Sequence, residues 1–266
     1  MATRNGIDAD RMQRAGWHFA ARMARLTVAL LAAQGCTSYR PLPTPAVLAS
    51  KNDVARYLIQ ALADGNPDAR RDAVLRAARS RHADETVVVE ALCTIARTDS
   101  SRMVRCAAIG ALGEAADPMA VETLVAIVAG APGPAAVRPP APPVRAHALA
   151  ALCQLDREHA PTGETAVTAR KAAVDLLIGH ESRELRIQAA RYLGSCPSSD
   201  ALSALISSLD QRDFGVVYQA EASLVRLTGE SFQHDRQAWE AWRLSQSDPF
   251  VAYRVTLAPG AGGKSE

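Results

Sequence analysis

Cysteine and histidine side chains are the residues of this chain best suited to chemistry, but their spacing does not assemble a site. The five cysteines form no Cys-x-x-Cys pair, and the six histidines are scattered along the 266 residues. A zinc site needs ligands in closely spaced pairs. The sequence also has no Gly-x-Ser-x-Gly turn, no phosphate-binding Gly-x4-Gly-Lys loop and no His-Glu-x-x-His helix. We therefore predict no catalytic residue, no metal site and no cofactor.

One cysteine, Cys36, has a different setting from the other four. It follows an apolar run at residues 26–33, and Arg22 and Arg25 precede that run. A basic segment, a short apolar run and a cleavage site with small residues together form a secretory signal, and this run is too short to span a bilayer. Residues 1–35 are therefore predicted to be a signal peptide. A start at Met12 rather than Met1 would leave its basic segment free of acidic residues.

The residues around Cys36 resemble a bacterial lipobox, in which the cysteine becomes the first mature residue and its sulfur is acylated. Gly35 and Cys36 match that motif, and the two residues before them match it loosely. The resemblance implies a lipoprotein anchored to a membrane of the bacterial envelope. Residues 37–45 are polar and contain three prolines, so residues 36–50 are predicted to be an extended tether. The alternative is a cytoplasmic protein whose N-terminal segment is an ordinary helix and whose Cys36 is an ordinary thiol.

The rest of the chain is organised by a nine-residue pattern that occurs five times. An apolar residue is followed four places later by Ala and usually eight places later by Leu, and the copies begin at Ala69, Val104, Val144, Leu185 and Val216. Starts that lie 31 to 41 residues apart match the length of one helical hairpin in a stacked array. The pattern therefore predicts a repeat protein rather than a set of independent domains.

Each patterned helix is preceded by a second amphipathic helix, whose apolar residues follow the i, i+3, i+4, i+7 spacing of one helical face. Asp, Ser and Gly-Asn-Pro turns separate the members of each pair and supply helix-capping side chains. Helices are predicted at residues 51–63, 67–80, 84–97, 101–115, 118–129, 143–156, 163–179, 182–194, 198–209, 213–228 and 235–246. Short helices in antiparallel pairs form an all-α, right-handed α-solenoid, here over residues 51–246.

The pattern Val-Arg-x-x-Ala-x-x-x-Leu-Gly, clearest at residues 104–113 and, with Leu first, at 185–194, resembles the HEAT-repeat family. The resemblance implies about five HEAT-like hairpins. In that family an Asp six residues before the Arg joins a hydrogen-bonded ladder between successive units. The pairs that match are Asp64 with Arg70 and Asp99 with Arg105.

The later units depart from this ladder. The residues at the Asp position are Pro139, His180 and Gln211. Glu181 or Asp210 could substitute for the missing carboxylates. Because Arg145 and Arg186 lack the Asp of their own unit, they are the candidate partner surface of the array.

Two segments interrupt or close the repeats. Residues 130–143 contain six prolines and are predicted to be an exposed insert, either a docking segment or a tolerated loop expansion. Trp239 and Trp242 share one face of the last predicted helix, in a segment that resembles the end of many bacterial HEAT-repeat proteins. We expect this helix to cap the last apolar face, as a solenoid requires. Residues 247–266 are predicted to be a flexible tail.

Charge and motifs narrow the function. Five Arg and two Asp lie in the first 35 residues, so the rest of the chain has a net charge near −1; this disfavours nucleic acid as a partner. The His-Glu pairs of deoxyhypusine hydroxylases, which are built from similar repeats, are missing after the patterned Arg residues. The sequence predicts a non-enzymatic scaffold that binds a protein partner and is anchored through Cys36. The alternatives are a bilin-lyase-like HEAT-repeat enzyme and a cytosolic adaptor without a lipid.

Overall fold

The computed structural model describes residues 53–115, 117–131, 139–155 and 158–256, and these residues form helices without any strand. The predicted signal peptide, Cys36 and the tether lie outside the described residues, as does the centre of the proline-rich insert. The helices are α1 (Asp53–Ala63), α2 (Pro67–Ala78), α3 (Thr86–Thr98), α4 (Arg102–Glu114), α5 (Pro118–Val128), α6 (Pro142–Gln154), α7 (Gly163–Gly179), α8 (Arg183–Leu193), α9 (Ser199–Ser207), α10 (Phe214–Thr228), α11 (Arg236–Ser245) and α12 (Val251–Thr256).

The first ten helices form five antiparallel pairs that stack into two layers. The odd-numbered helices α1 to α9 make one layer, and the even-numbered helices α2 to α10 make the other. Helices of the even-numbered layer lie closer to their neighbours along the array than helices of the odd-numbered layer do. A stack curves toward its more closely packed side, so the even-numbered helices form the inner layer of an α-solenoid.

Small residues in the repeated pattern explain why the inner helices approach so closely. The pattern alanines, such as Ala108 and Ala148, are fully buried. At Gly113 an added Cβ would lie only 2.9 Å from the Cβ of Ala151, and at Gly194 it would lie 2.8 Å from the Cβ of Ser223. The Ala and Gly positions are therefore contacts between successive inner helices, where a larger side chain would force the backbones apart.

Side chains in the turns fix where several of the helices begin. Asn66, Asp117, Ser182, Asp213 and Asp235 each accept a hydrogen bond from a backbone N–H in the first turn of the following helix. These bonds satisfy N–H groups that have no partner within the helix. The predicted helices agree with the observed ones to within two residues at each end.

Two segment boundaries differ from the sequence prediction. Pro142 and Pro143 belong to the first turn of α6, because proline fits that position without losing a hydrogen bond. Helix α12 forms inside the segment predicted to be a flexible tail. Its Tyr253 hydroxyl donates to the carbonyl of Ser195 at 2.9 Å, and the rings of Phe250 and Tyr253 pack against the core. The aromatic side chains hold this segment on the array. The prediction of a flexible tail rested on the Gly-rich end of the sequence and did not take these side chains into account.

Candidate functional site: the inner layer and its C-terminal cleft

The first rung of the ladder is a two-pronged ion pair between successive units. Nε and Nη2 of Arg70 donate to the two carboxylate oxygens of Asp99 at 2.8 and 2.9 Å. Nη1 donates to the backbone carbonyl of Asp64 at 2.9 Å. The hydrogen bond to Asp99 raises the pKa of Arg70. Arg70 is buried, so this pair lies in a partly dehydrated edge where charged hydrogen bonds are strong.

The acidic side chains of the turns also stabilise the turns in which they lie. Asp64 and Asp99 each accept the backbone N–H two residues further on, at 2.8 and 2.7 Å. His180 stands at the same position of the fourth unit, and its Nδ1 accepts the N–H of Ser182 at 3.0 Å. His180 therefore replaces the turn-closing role of the Asp without supplying its charge.

The ladder loses its carboxylate at Arg105. Nη1 of Arg105 donates to the carbonyls of Asp99 and Ser100 at 2.6 and 3.4 Å. The corresponding position of the next unit is Pro139, which has no side-chain acceptor. Within the described ranges, Arg105 therefore repeats the carbonyl contact of the first rung but not its ion pair.

Arg145 caps the outer helix of its own unit. Its Nε and Nη2 both donate to the carbonyl of Val128, at 3.1 and 2.7 Å, at the end of α5. Partial burial lowers the pKa of Arg145. A cation at a helix C-terminus is favourable because the last carbonyls have no partner within the helix.

Arg186 restores the ladder with a neutral partner. Its Nη1 donates to Oε1 of Gln211 at 3.1 Å, and Gln211 donates in turn to the carbonyl of Leu177 at 3.2 Å. The expectation that Glu181 or Asp210 replaces the missing Asp is wrong. Glu181 is exposed, and Asp210 pairs with Arg236. Gln211 already stands at the ladder position, and its amide supplies an acceptor and a donor at once.

These contacts engage both arginines that the sequence suggested as a partner surface. The guanidinium group of Arg145 is directed at Val128, and that of Arg186 at Gln211, with Asp213 3.8 Å away. Their contacts favour a structural role inside the array. A role in binding a partner stays a prediction for both residues.

The two tryptophans of α11, Trp239 and Trp242, close the C-terminal end of the core. Trp239 is fully buried, and its ring meets the rings of Phe232 and Trp242 edge-on, with centroid distances of 4.9 and 5.6 Å. The indole N–H of Trp239 donates to the carboxylate of Glu221 at 2.7 Å. This is the packing that a capping helix needs, because it covers the apolar end of the last repeat.

Glu221 is a buried carboxylate that the sequence analysis did not single out. Besides Trp239, it accepts the Ser231 hydroxyl at 3.0 Å and the backbone N–H of His234 at 3.4 Å. A buried carboxylate needs hydrogen-bond donors of this kind in place of water. The signal available in the sequence was an acid on the inner helix, between Ala220 and Ala222, close to positions where the pattern is otherwise apolar.

A cleft of about 420 Å³ opens beside this carboxylate, between α10 and the loop that leads to α11. Its lining residues are Tyr218, Glu221, Ala222, Val225, Ser231, Gln233 and His234. At its rim the exposed rings of Phe214 and Tyr218 lie with centroids 6.2 Å apart, and the ring of His234 lies 6.0 Å from that of Phe214. We term this site the C-terminal cleft.

The loop that forms the C-terminal cleft has an unusual backbone. Gln233 and His234 adopt φ values of 51° and 69°, the left-handed region that side chains other than glycine rarely occupy. Nε2 of His234 is buried and has no hydrogen-bond partner within the described part of the chain. Strained residues and an unpaired buried nitrogen are features that concentrate at binding sites.

The cysteines in the described ranges are free thiols that act as small apolar residues. Burial raises the pKa of Cys153 to about 12 and that of Cys196 to about 11, which keeps both protonated and unreactive at neutral pH. Among the described residues no group of three or more His, Cys, Asp or Glu side chains could hold a metal ion. No helix in that part of the chain is long and apolar enough to cross a membrane.

The match to a family model agrees with this architecture. A family model for HEAT repeats matches residues 55–138 and 133–225, so the chain belongs to the HEAT-repeat family. A search of curated proteins finds no match. Among solved structures, the crystal structure of an engineered protein is similar at 19% sequence identity and a TM-score of 0.47, covering 77% of this chain and 94% of that one.

Proposed function

We propose that this protein is a non-enzymatic scaffold that binds a protein partner and is held at a membrane of the bacterial envelope by a lipid on Cys36. The first part rests on the HEAT-repeat array, because such repeats typically mediate protein–protein interaction. The second part rests on the sequence around Cys36, which combines a signal-like segment, a lipobox-like site and a polar tether.

The scaffold proposal rests on a difference between two sets of residues on the inner helices. Their pattern residues are buried against neighbouring helices, whereas the residues between them are accessible and differ from unit to unit. On α4 these include Met103, which is 55% exposed, and on α10 Tyr218, which is 61% exposed. A stacked layer of this kind offers a long surface whose chemistry is set independently of the fold.

The lipid anchor is tested by metabolic labelling with a clickable palmitate analogue in a bacterial host that acylates lipoproteins. We expect label on the wild-type chain and none on Cys36→Ala. Cys106→Ala is the matched control, since Cys106 is another thiol but lies on an inner helix far along the chain. Label that persists in Cys36→Ala would overturn the anchor and favour the cytosolic adaptor, while leaving the array as a scaffold.

The scaffold is tested by placing a photo-crosslinking amino acid at Met103 on the inner layer. The control position is Val167 on the outer helix α7, which is 50% exposed and therefore equally accessible. We expect one dominant crosslinked protein from Met103 in intact cells and none of that species from Val167. Recovery of the same mixture of abundant proteins from both positions would contradict a specific inner surface.

A further inference from the structure

We propose that the C-terminal cleft binds an arginine side chain of the partner protein. This inference rests on the scaffold proposal and adds the chemistry that the partner must present. Three independent features of the cleft point to a guanidinium group: a carboxylate with spare acceptor capacity, exposed aromatic rings and an unpaired ring nitrogen.

The carboxylate of Glu221 favours a cation in the cleft. It is the only acidic side chain among the lining residues, and neither Lys nor Arg lines the cleft. A carboxylate has about four acceptor positions. Three are occupied by Ser231, His234 and Trp239, and Oε1 receives only the Ser231 hydroxyl. One acceptor position on a partly dehydrated charge is therefore left for a ligand.

The exposed rings favour a flat cation. Phe214 and Tyr218 are 70% and 61% exposed, although large aromatic side chains are usually covered. A guanidinium group stacks on aromatic faces and is less strongly hydrated than an ammonium group, so it loses less on entering such a site. The adjoining aromatic pair therefore selects Arg over Lys, and both over an aliphatic side chain.

The ring of His234 supplies the third contact. Its Nε2 is buried without a partner in the described structure, and a neutral imidazole can accept one hydrogen bond at this nitrogen. A guanidinium group carries five N–H donors, enough to serve the Glu221 carboxylate and, once a turn of the ring exposes it, Nε2 as well. The left-handed φ values of Gln233 and His234 hold the loop in the conformation that directs this ring to the cleft.

The test follows the indole N–H resonance of Trp239 in NMR spectra of the full chain. This N–H bonds to Glu221 at 2.7 Å and therefore reports on the cleft carboxylate. Trp17→Phe and Trp242→Phe assign the resonance by elimination. The probes are blocked pentapeptides Gly-Ser-X-Ser-Gly in which X is Arg, Lys or Leu. We expect a saturable shift with the Arg peptide, a smaller one with the Lys peptide and none with the Leu peptide.

Substitutions at the rim locate the site without disturbing the core. Tyr218→Ala and Phe214→Ala should each weaken binding of the Arg peptide by about three- to tenfold, the range of a cation–π contact. Leu244→Ala is the matched control, since Leu244 is 77% exposed on α11 and does not line the cleft. Glu221→Gln should abolish the shift, and its Trp239 resonance shows whether the loop still folds.

Equal binding of the Leu and Arg peptides would overturn the inference, because the cleft would then be an apolar surface only. The same conclusion follows if no peptide moves the Trp239 resonance, or if Tyr218→Ala leaves binding of the Arg peptide unchanged. These results would leave the scaffold proposal standing wherever Met103 still crosslinks one partner. A different result would contradict the scaffold proposal instead: Met103 crosslinks no dominant partner, while the Arg peptide still shifts the Trp239 resonance. The cleft would then be a site for a free cation.

Discussion

The first rung of the ladder and the last differ in charge, although the arginine has the same place in both. Arg70 meets the carboxylate of Asp99 through two hydrogen bonds, whereas Arg186 hydrogen-bonds to the neutral amide of Gln211 and has a carboxylate, that of Asp213, only at 3.8 Å. At the C-terminal end the buried carboxylate is Glu221 instead, and it supports the capping tryptophan and the cleft. A buried carboxylate therefore joins successive units at one end of the array and holds the capping helix and its loop at the other.

The residue at the ladder position can therefore lose its charge and still bind the arginine of the preceding unit. Units also stack where the described part of the next turn supplies no acceptor, as after Arg105 and Arg145, because the helices are joined mainly by buried apolar contacts. The carboxylate adds a charged bond at a partly buried edge.

Trp239→Ala should cause the largest loss at the C-terminal end. The substitution empties a fully buried site and removes one of the three donors to the Glu221 carboxylate, so we expect a loss of about 3–5 kcal/mol in the free energy of unfolding. Urea unfolding followed by circular dichroism measures it. Leu244→Ala on the same helix should change stability by less than about 0.5 kcal/mol. Equal effects would contradict the role of Trp239 as a cap.

Asp99→Ala should destabilise the N-terminal end by about 3 kcal/mol, because it leaves the buried Arg70 guanidinium without its charged partner. The measurement is the urea midpoint, repeated in high salt. The Arg70→Leu and Asp99→Ala double variant should recover part of the loss, since no unpaired charge then remains. A double variant that is less stable than the single one would contradict this explanation.

Gly113→Ala and Gly194→Ala should have similar effects, since both glycines lie where successive inner helices touch. We expect each to cost about 1–3 kcal/mol through crowding against Ala151 or Ser223. Gly110→Ala is the control because nothing lies within 4 Å of an added Cβ there, and it should stabilise α4 by about 0.5–1 kcal/mol. A large difference between the two losses would show that backbone spacing, and not only the ladder, differs between the ends.

Gln211→Ala should cost only about 1 kcal/mol, the net contribution of a neutral hydrogen bond. Gln211→Glu should change stability by less than about 1 kcal/mol, because it adds an acidic group opposite Arg186 but loses the hydrogen bond from Nε2 to the carbonyl of Leu177. Thermal unfolding of the three chains measures both effects. A loss in Gln211→Ala as large as that in Asp99→Ala would remove the distinction between charged and neutral rungs.

The local chemistry of the chain made most of the fold predictable. Helix starts follow capping residues such as Asp213, and the apolar spacing gives each helix its buried face, so the predicted bounds were close. Helix α12 was missed because its short, exposed sequence has little helical signal and is stabilised by Tyr253 and Phe250 against residues distant in sequence. The sequence showed Gln211 at the ladder position, but its role as the partner of Arg186 was missed because the search was for a carboxylate.

The candidate site was less predictable than the fold. Trp239 and Trp242 were identified from their spacing, but the cleft depends on Phe214, Tyr218 and His234, which the chain brings together from a helix start, the next turn and a loop. Each residue is ordinary in its own sequence context. They form one site only because the loop after α10 packs back against that helix.

The sequence by itself determined a stacked all-helical array, because the repeated Ala, Leu and Gly positions are local and recur at the period of a helical hairpin. It also determined the setting of Cys36 behind a basic and apolar segment. Only the tertiary structure decided which arginines keep a carboxylate, that Gln211 serves as a rung and that Glu221 lies beneath an aromatic cleft. Those features depend on distances between residues of different units, which no periodic pattern specifies.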